Sequence, residues 1–364
     1  MNLIFTQLLS CIINFTLPGV VHQGDRIFYG NAHSLGLGGI SIILEDGNNP
    51  ASPGLHNNLF FSGTGLYYSG SEKRGLRVYD SYGNNIGIST ISSNRLNKTN
   101  PNFASLYMPL KFLRFGMRYH ADWDFNYLYR YEYRDDFYQI KKIVQDDYYG
   151  VVFSLAPVVA ISTHFAKFGF EQDFLYGKIG REFKTVYPDG PDSIYKEENN
   201  FNGNRRKFGF ILTPNIHLRL GYTFATKYSL KDKSDSLSYP LTHTIGFSYQ
   251  PAGRVPTRFL IEVAREMWEE VIYLYKFGIE HTIVDRYRMR YGFCIFPDYS
   301  QPAVWTTNLT LGFGTYYKNY SFDFGLGFGK RDYASSDFGG LQISEKTIFD
   351  ETMLHFLISF GVLF

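Results

Sequence analysis

The sequence predicts an all-β fold, a transmembrane antiparallel up-and-down β-barrel of about fourteen strands, with twelve and sixteen as the bounds. Three observations carry this. Runs of about ten residues, the length of a tilted strand crossing a bilayer, alternate large apolar side chains with small, polar or charged ones. No internal apolar stretch reaches the roughly 18 residues that a membrane helix needs. The chain also stops on one of these alternating runs, with an aromatic as its last residue.

At the front, residues 3–21 are apolar, interrupted by Asn14, Pro18 and Gly19. They read as a secretory signal peptide over residues 1–22, cleaved between Pro18 and Gly24, although a basic n-region is missing. Leu8-Leu9-Ser10-Cys11 faintly resembles a lipobox, but it leaves too short a leader. With Cys11 removed, Cys294 stands alone, which excludes an intrachain disulfide and a cysteine metal site.

Residues 23–57 lack alternation and are rich in Gly, Asn and Pro. They predict a hatch or plug. A barrel of this size encloses space that its own side chains do not fill, and an irregular segment folded inward would seal it. Gly36, Gly38 and Gly39 permit unusual backbone angles and close approach, and Pro50 and Pro53 fix the chain locally. The competing reading is an ordinary connecting loop. A phosphate cradle is excluded, because Gly36-Leu37-Gly38-Gly39 does not match G-x-G-x-x-G and no βαβ unit surrounds it.

Residues 58–364 predict the barrel itself. Its first strands, in residues 58–145, are hard to delimit, apart from Leu113, Phe115, Met117 and Tyr119 alternating with Arg114, Gly116 and Arg118. Leu155-Ala156-Pro157 reads as a tight turn, and residues 172–206 as a very long loop holding Lys196-Glu197-Glu198. Beyond it the rows are clear. Leu218, Leu220, Tyr222 and Phe224 oppose Arg219, Gly221 and Thr223. Tyr287, Met289, Tyr291 and Phe293 oppose Arg288, Arg290 and Gly292. Leu309, Leu311 and Phe313 oppose Asn308, Thr310 and Gly312, and Phe356, Ile358, Phe360, Val362 and Phe364 close the chain. Connections alternate short (213–215, 284–285, 318–319) and long (227–241, 297–303, 332–350), as in barrels with tight turns at one end. The turn at 251–256 fits this series least well. A soluble sandwich would also alternate, but a face of Arg, Lys, Glu and Gly makes a poor inter-sheet core.

Composition narrows function. A net charge of +2 without a basic cluster gives no footprint for nucleic acid. Nine histidines are scattered, His120, His217 and His355 with inward parity, His243 and His281 with outward parity. No Gly-x-Ser-x-Gly and no HExxH occurs. The chain is therefore read as no enzyme, with no cofactor and no metal.

Residues 32–55, AHSLGLGGISIILEDGNNPASPGL, resemble the N-terminal hatch of the FadL-type outer-membrane transporters (OMPP1/FadL/TodX). The matching positions are Gly36, Gly38 and Gly39, then Asn49, Pro50 and Ala51, then Leu55. Residues 208–225 and 275–298 match the family more loosely. His33 stands where the family often has Arg, and Ser52-Pro53 intrudes after the Asn-Pro-Ala motif. The resemblance implies transport of hydrophobic, fatty-acid-like small molecules across the bacterial outer membrane, through a plugged barrel embedded in outer-membrane lipid. Among the inward cations, Arg219 and Arg290 are the candidate contacts for an anionic head group. The rival expectation is that inward charges pair with one another or with the hatch. Phe356, Phe360 and Phe364 resemble the C-terminal signal read by the barrel-assembly machinery. Two other roles stay open at this point: an accessory or anchoring barrel for an envelope protein-secretion partner, and a general diffusion porin.

Overall fold

The structure, a computed structural model, describes residues 24–135, 137–233, 235–253, 255–335 and 347–364. The expected signal peptide and the core of the 332–350 connection lie outside the described residues. Three short elements come first: β1 (Asp25–Arg26), α1 (Ala32–Gly36) and a 3-10 turn (Ser52–Leu55). The wall then runs β2 (Phe60–Tyr79), β3 (Asn85–Leu110), β4 (Leu113–Asp124), β5 (Tyr127–Arg134), β6 (Ile140–Ser162), β7 (Ala166–Val186) and β8 (Ser193–Asn215). It continues with β9 (Leu218–Ala225), β10 (Tyr228–Lys231), β11 (Ser236–Tyr239), β12 (Thr242–Tyr249), β13 (Thr257–Met267) and β14 (Val271–Ile283). The last four are β15 (Tyr287–Pro297), β16 (Trp305–Tyr317), β17 (Tyr320–Ser335) and β18 (Thr347–Leu363).

Neighbours pair antiparallel, and β18 pairs with β2 from Ile348–Gly75 to Leu363–Phe60, which closes the cylinder. β4 with β5, β9 with β10, and β11 with β12 each form one interrupted strand, and β1 lies inside. The wall is thus a closed barrel of fourteen strands. Closure is what lets a β-structure meet hydrocarbon, because no sheet edge is left unpaired there.

The two faces separate as the alternation requires. On β16, Leu309, Leu311 and Phe313 are 59%, 53% and 41% exposed, while Thr306, Asn308 and Thr310 are 3% exposed. Each large apolar side chain left in water forgoes roughly 1.5–3 kcal/mol of burial, so rows of them on every strand call for a bilayer as solvent. Tight turns gather at the end carrying Phe364, here called the turn end. Lys111, Val284, Asp285 and Lys318 have positive φ there, the geometry of two-residue hairpins, without glycine to ease it.

Two sequence expectations are corrected. Leu155-Ala156-Pro157 is no turn and lies within β6. The β6–β7 ladder skips Ala156 and Pro157, so the missing proline N–H falls at an interruption. Residues 172–206 are no long loop. β7 and β8 pair up to Thr185–Ser193, leaving a connection over 187–192. Their outer halves are polar on both faces, which hides the alternation.

Candidate functional site

The wall's inner face is made to hold residues 24–58. Cross-strand glycine pairs Gly169–Gly209, Gly221–Gly246, Gly278–Gly292 and Gly312–Gly325 form an inner belt on β7–β9, β12 and β14–β17. A Cβ on Gly292 would sit 2.0 Å from the Gly38 nitrogen, one on Gly169 2.0 Å from the Pro50 oxygen, and one on Gly325 2.8 Å from the Ala32 oxygen. The belt therefore accepts the segment's backbone directly.

An irregular backbone inside a barrel has no ladder partners, and the polar row of the wall supplies them. Glu262 accepts from the Ser41 and Ile42 N–H at 2.7 and 3.0 Å. Lys276 donates to the Gly39 carbonyl at 2.8 Å, and Arg118 to that of Asn49 at 2.7 Å. The Gly38 N–H donates to the Thr310 hydroxyl at 3.0 Å, and the Ala32 N–H to that of Ser359 at 2.8 Å. Asn31 caps α1 by accepting from the Ser34 N–H.

The expected hatch residues sit within this clasp. Gly36 packs on Gly312, and Gly38 and Gly39 adopt φ of 71° and 84°. The Asn49 amide donates to the Ile42 and Phe210 carbonyls, its Oδ1 accepts from the Ala51 N–H, and Pro50 covers Gly169 and Gly209. Arg290 is fully buried, held by Glu280 at 2.7 Å and by Asp323. Arg219 donates to the Ile43 carbonyl at 2.7 Å and to Glu45 at 2.8 Å. Burial alone would raise the Glu45 carboxyl, but Arg219, Arg258 and His33 hold it below the usual range. Both arginines are thus engaged, and neither lines the cavity described next. Phe356 lies on the outer wall, while Phe360 packs on Phe322 and Phe364 donates its N–H to the Leu59 carbonyl.

Between residues 25–29 and the wall lies a chamber that is open in part to solvent. Ile27, Phe28, Leu66, Ile272, Leu274, Phe296 and Met353 make most of its lining. Phe28 and Phe296 meet ring to ring at 4.1 Å. Arg26, Lys98, Arg331, Asp25, Asp124, Glu266 and Asp298 stand around it. Asp25 is off the wall, and burial pushes its carboxyl up to about 6. Beyond Arg26–Phe28 lies a polar void of about 970 Å³ lined by Asp122, Arg205, Lys207 and Glu262. Trp123, Tyr228, Tyr239, Trp268 and Tyr299 form an aromatic cluster beside both, with Trp268 stacked on Tyr299 at 4.4 Å.

The wall is interrupted beside this chamber. The β3–β4 ladder runs from Leu110–Leu113 to Phe103–His120 and stops. Past a bulge at Ala121–Trp123, β4 turns inward and pairs with β1 instead, Asp124 with Asp25 and Trp123 with Arg26. Asn126 and Gly150, at φ of 138°, hold the kink through the Asp124 carboxylate and the Gly150 carbonyl. Opposite the kink, Pro101, which has no N–H to leave unpaired, sits opposite Gly65 of β2, and Asn102 is bulged inward, donating to the Gly30 carbonyl at 2.8 Å. A hollow of about 500 Å³ at this gap shares Tyr68, Lys98, Asp124 and Met353 with the chamber and reaches Leu96 and Leu128. The Lys98–Asp124 ion pair stands across it. The resemblance implied a strand kink near the plug, but neither its residues nor the belt was located from sequence, although the paired glycines were there to be seen.

The five histidines weighed in the sequence do not assemble a site. His243 meets Tyr222, His281 meets Thr257 and His217 meets the Gln250 carbonyl, while His120 sits beside Asp122 and Asp173. Among the described residues no cluster suited to a metal occurs.

By sequence, neither a family model nor a curated protein matches the chain. By structure, a Pseudomonas aeruginosa FadL homologue matches with a TM-score of 0.69 at 11% identity, over 94% of this chain and 100% of that one. The P. putida toluene transporter TodX matches at 0.62 and 13% identity, over 96% and 99%. The Ralstonia pickettii toluene transporter TbuX matches at 0.58 and 13%, over 96% and 100%. The fold of this chain is that of the FadL-type barrels.

Proposed function

We propose that this chain is an outer-membrane channel for hydrophobic small molecules, with residues 24–58 as its hatch. One observation carries the reading: an apolar chamber against the hatch opens toward an interruption in the wall. A hydrophobic solute gains by leaving the chamber sideways into hydrocarbon, because it never has to re-enter water. Below the chamber the glycine belt and the Glu262, Lys276 and Arg118 contacts hold the hatch against the wall. That arrangement separates the proposal from a diffusion porin, which predicts large stable conductance in planar bilayers. The location follows from the same fold and the apolar exterior, with the turn end in the periplasm.

The test is uptake into proteoliposomes holding the purified barrel. Accelerated uptake of a hydrophobic probe without ion conductance supports the channel. No acceleration, together with reproducible recovery of an envelope protein on the barrel, would replace it with the anchoring role.

A further inference from the structure

The chamber's charged rim and its buried polar atoms point the same way. Each base at the rim already has an acid: Arg26 has Glu266, Lys98 has Asp124, and Arg331 has Glu351 at 2.6 Å and Asp298 at 3.5 Å. Asp25 adds a further carboxyl, so the lining acids outnumber the lining bases. A carboxylate entering here meets no free cation and a surplus of negative charge.

Thr306 and Asn308 on β16, Tyr29 on the hatch and His355 on β18 all line the chamber. Tyr29, Thr306 and Asn308 are each 3% exposed. The Thr306 Oγ1 and the His355 Nδ1 are buried atoms without a hydrogen-bond partner, and the Tyr29 hydroxyl and the Asn308 side chain beside them interact with each other. His355 lies edge-on to Tyr29 and Tyr68, at 5.1 Å from each ring. Buried polar groups are ordinarily paired, and leaving the Thr306 hydroxyl and the His355 ring nitrogen unpaired in one chamber costs free energy that a bound polar group returns.

We infer that the chamber selects a neutral, aromatic-sized molecule bearing one hydrogen-bonding group, such as an aryl alcohol, over both the bare hydrocarbon and the carboxylate. This rests on the channel reading above. The aromatic rings of Phe28 and Phe296 suit a flat ring, and the Tyr29–Thr306–Asn308–His355 group receives the hydroxyl. A hydroxyl both donates and accepts, so it matches acceptors such as the Asn308 carbonyl and donors such as the Thr306 hydroxyl.

Three probes sharing one ring system decide it: naphthalene, 1-naphthol and 1-naphthoate, titrated calorimetrically into the purified full-length barrel. The expected order is 1-naphthol first, with about a tenfold advantage over naphthalene and a larger one over 1-naphthoate. Thr306→Val is expected to shrink the gap between naphthol and naphthalene while leaving naphthalene unchanged. If that variant fails to fold, the three probes on the unmodified protein still decide. Equal affinity for naphthol and naphthalene means that water alone serves these atoms, and overturns the inference. Preference for 1-naphthoate overturns it too, yet leaves the channel reading intact. Binding of none of the three, with no uptake, removes both.

Discussion

Two sectors of the same cylinder hold the N-terminal segment, the proposed hatch, in opposite ways. Along β7 and β15–β17, backbone of the N-terminal segment lies directly on wall glycines, and at Gly221 and Gly246 the Ile42 and Ile43 side chains pack on them. Around β2–β5 the wall has lost a ladder, and a charged pair spans what hydrogen bonds span elsewhere. Backbone against glycine has one arrangement and a steep penalty for any other. An ion pair across a gap has several arrangements of similar energy. The difference teaches where the molecule is fixed and where it is free to open.

The most severe way to break the fixed sector is through its charges. Arg118 is 1% exposed, and it bonds Glu171 at 2.6 Å, the Tyr107 hydroxyl at 2.7 Å and the Asn49 carbonyl. Arg118→Leu removes one of the two bases holding the buried Glu171 carboxylate, which keeps Lys207 at 2.7 Å, and a loss of about 2–3 kcal/mol is expected from the charged hydrogen bonds. Unfolding followed by heat-dependent gel mobility measures it; a shift below about 1 kcal/mol would show that the clasp contributes little. Next comes volume. Gly169→Val drives its side chain into Pro50, so the hatch should detach and leave a conducting pore. Gly65→Ala on β2 is the control, because nothing lies within 4 Å of its would-be Cβ. Closed, stable barrels from both variants would remove the distinction between the sectors.

The same division explains what the sequence made legible. From Leu218 onward the strands outside 226–241 keep one parity, so their rows, turns and outward Phe and Tyr can be read directly. Between residues 58 and 145 they do not. The bulge at Ala121–Trp123 reverses the faces, so Met117 points out while Trp123 and Tyr127 point in. Asn102 does the same to β3, and the two inversions erase the period on which strand assignment rests. The place that opens the wall is thus the place where alternation fails. The inward Arg, Lys and Glu were visible, and their pairing with one another and with the hatch was one of the two expectations. Their hydrogen bonds to hatch carbonyls and N–H groups were not visible, because that partner is more than 200 residues away for Glu262 and Lys276.

A milder perturbation loosens the free sector. Asp124→Asn removes the charge facing Lys98 without changing shape. The pair is partly exposed to the chamber, so a stability loss of about 1 kcal/mol or less is expected, with faster release of a hydrophobic probe. Slower release would mean that the pair props the gap open and does not latch it.

The smallest effect separates the sectors by pH. Asp25 sits on β1, facing Arg331, Lys98 and Asp298, with Tyr68 beside them. Burial, partly offset by Arg331 and Lys98, leaves its carboxyl at about 6 in the folded protein, above the unfolded value. The folded state therefore binds this proton more tightly, and the Asp25 contribution to stability improves as pH falls through about 6. That is opposite in sign to an ion-paired carboxylate such as Glu45 in the clasp, whose contribution is lost on acidification. Moving from about pH 7 to about pH 5 should neutralise Asp25, lower the surplus of negative charge in the chamber, and narrow the disadvantage of 1-naphthoate a few-fold. The affinity for 1-naphthol should not change, and Asp25→Asn should abolish the pH effect. If the effect survives in Asp25→Asn, the charge that excludes anions lies elsewhere on the rim, and Asp298 is the next group to replace.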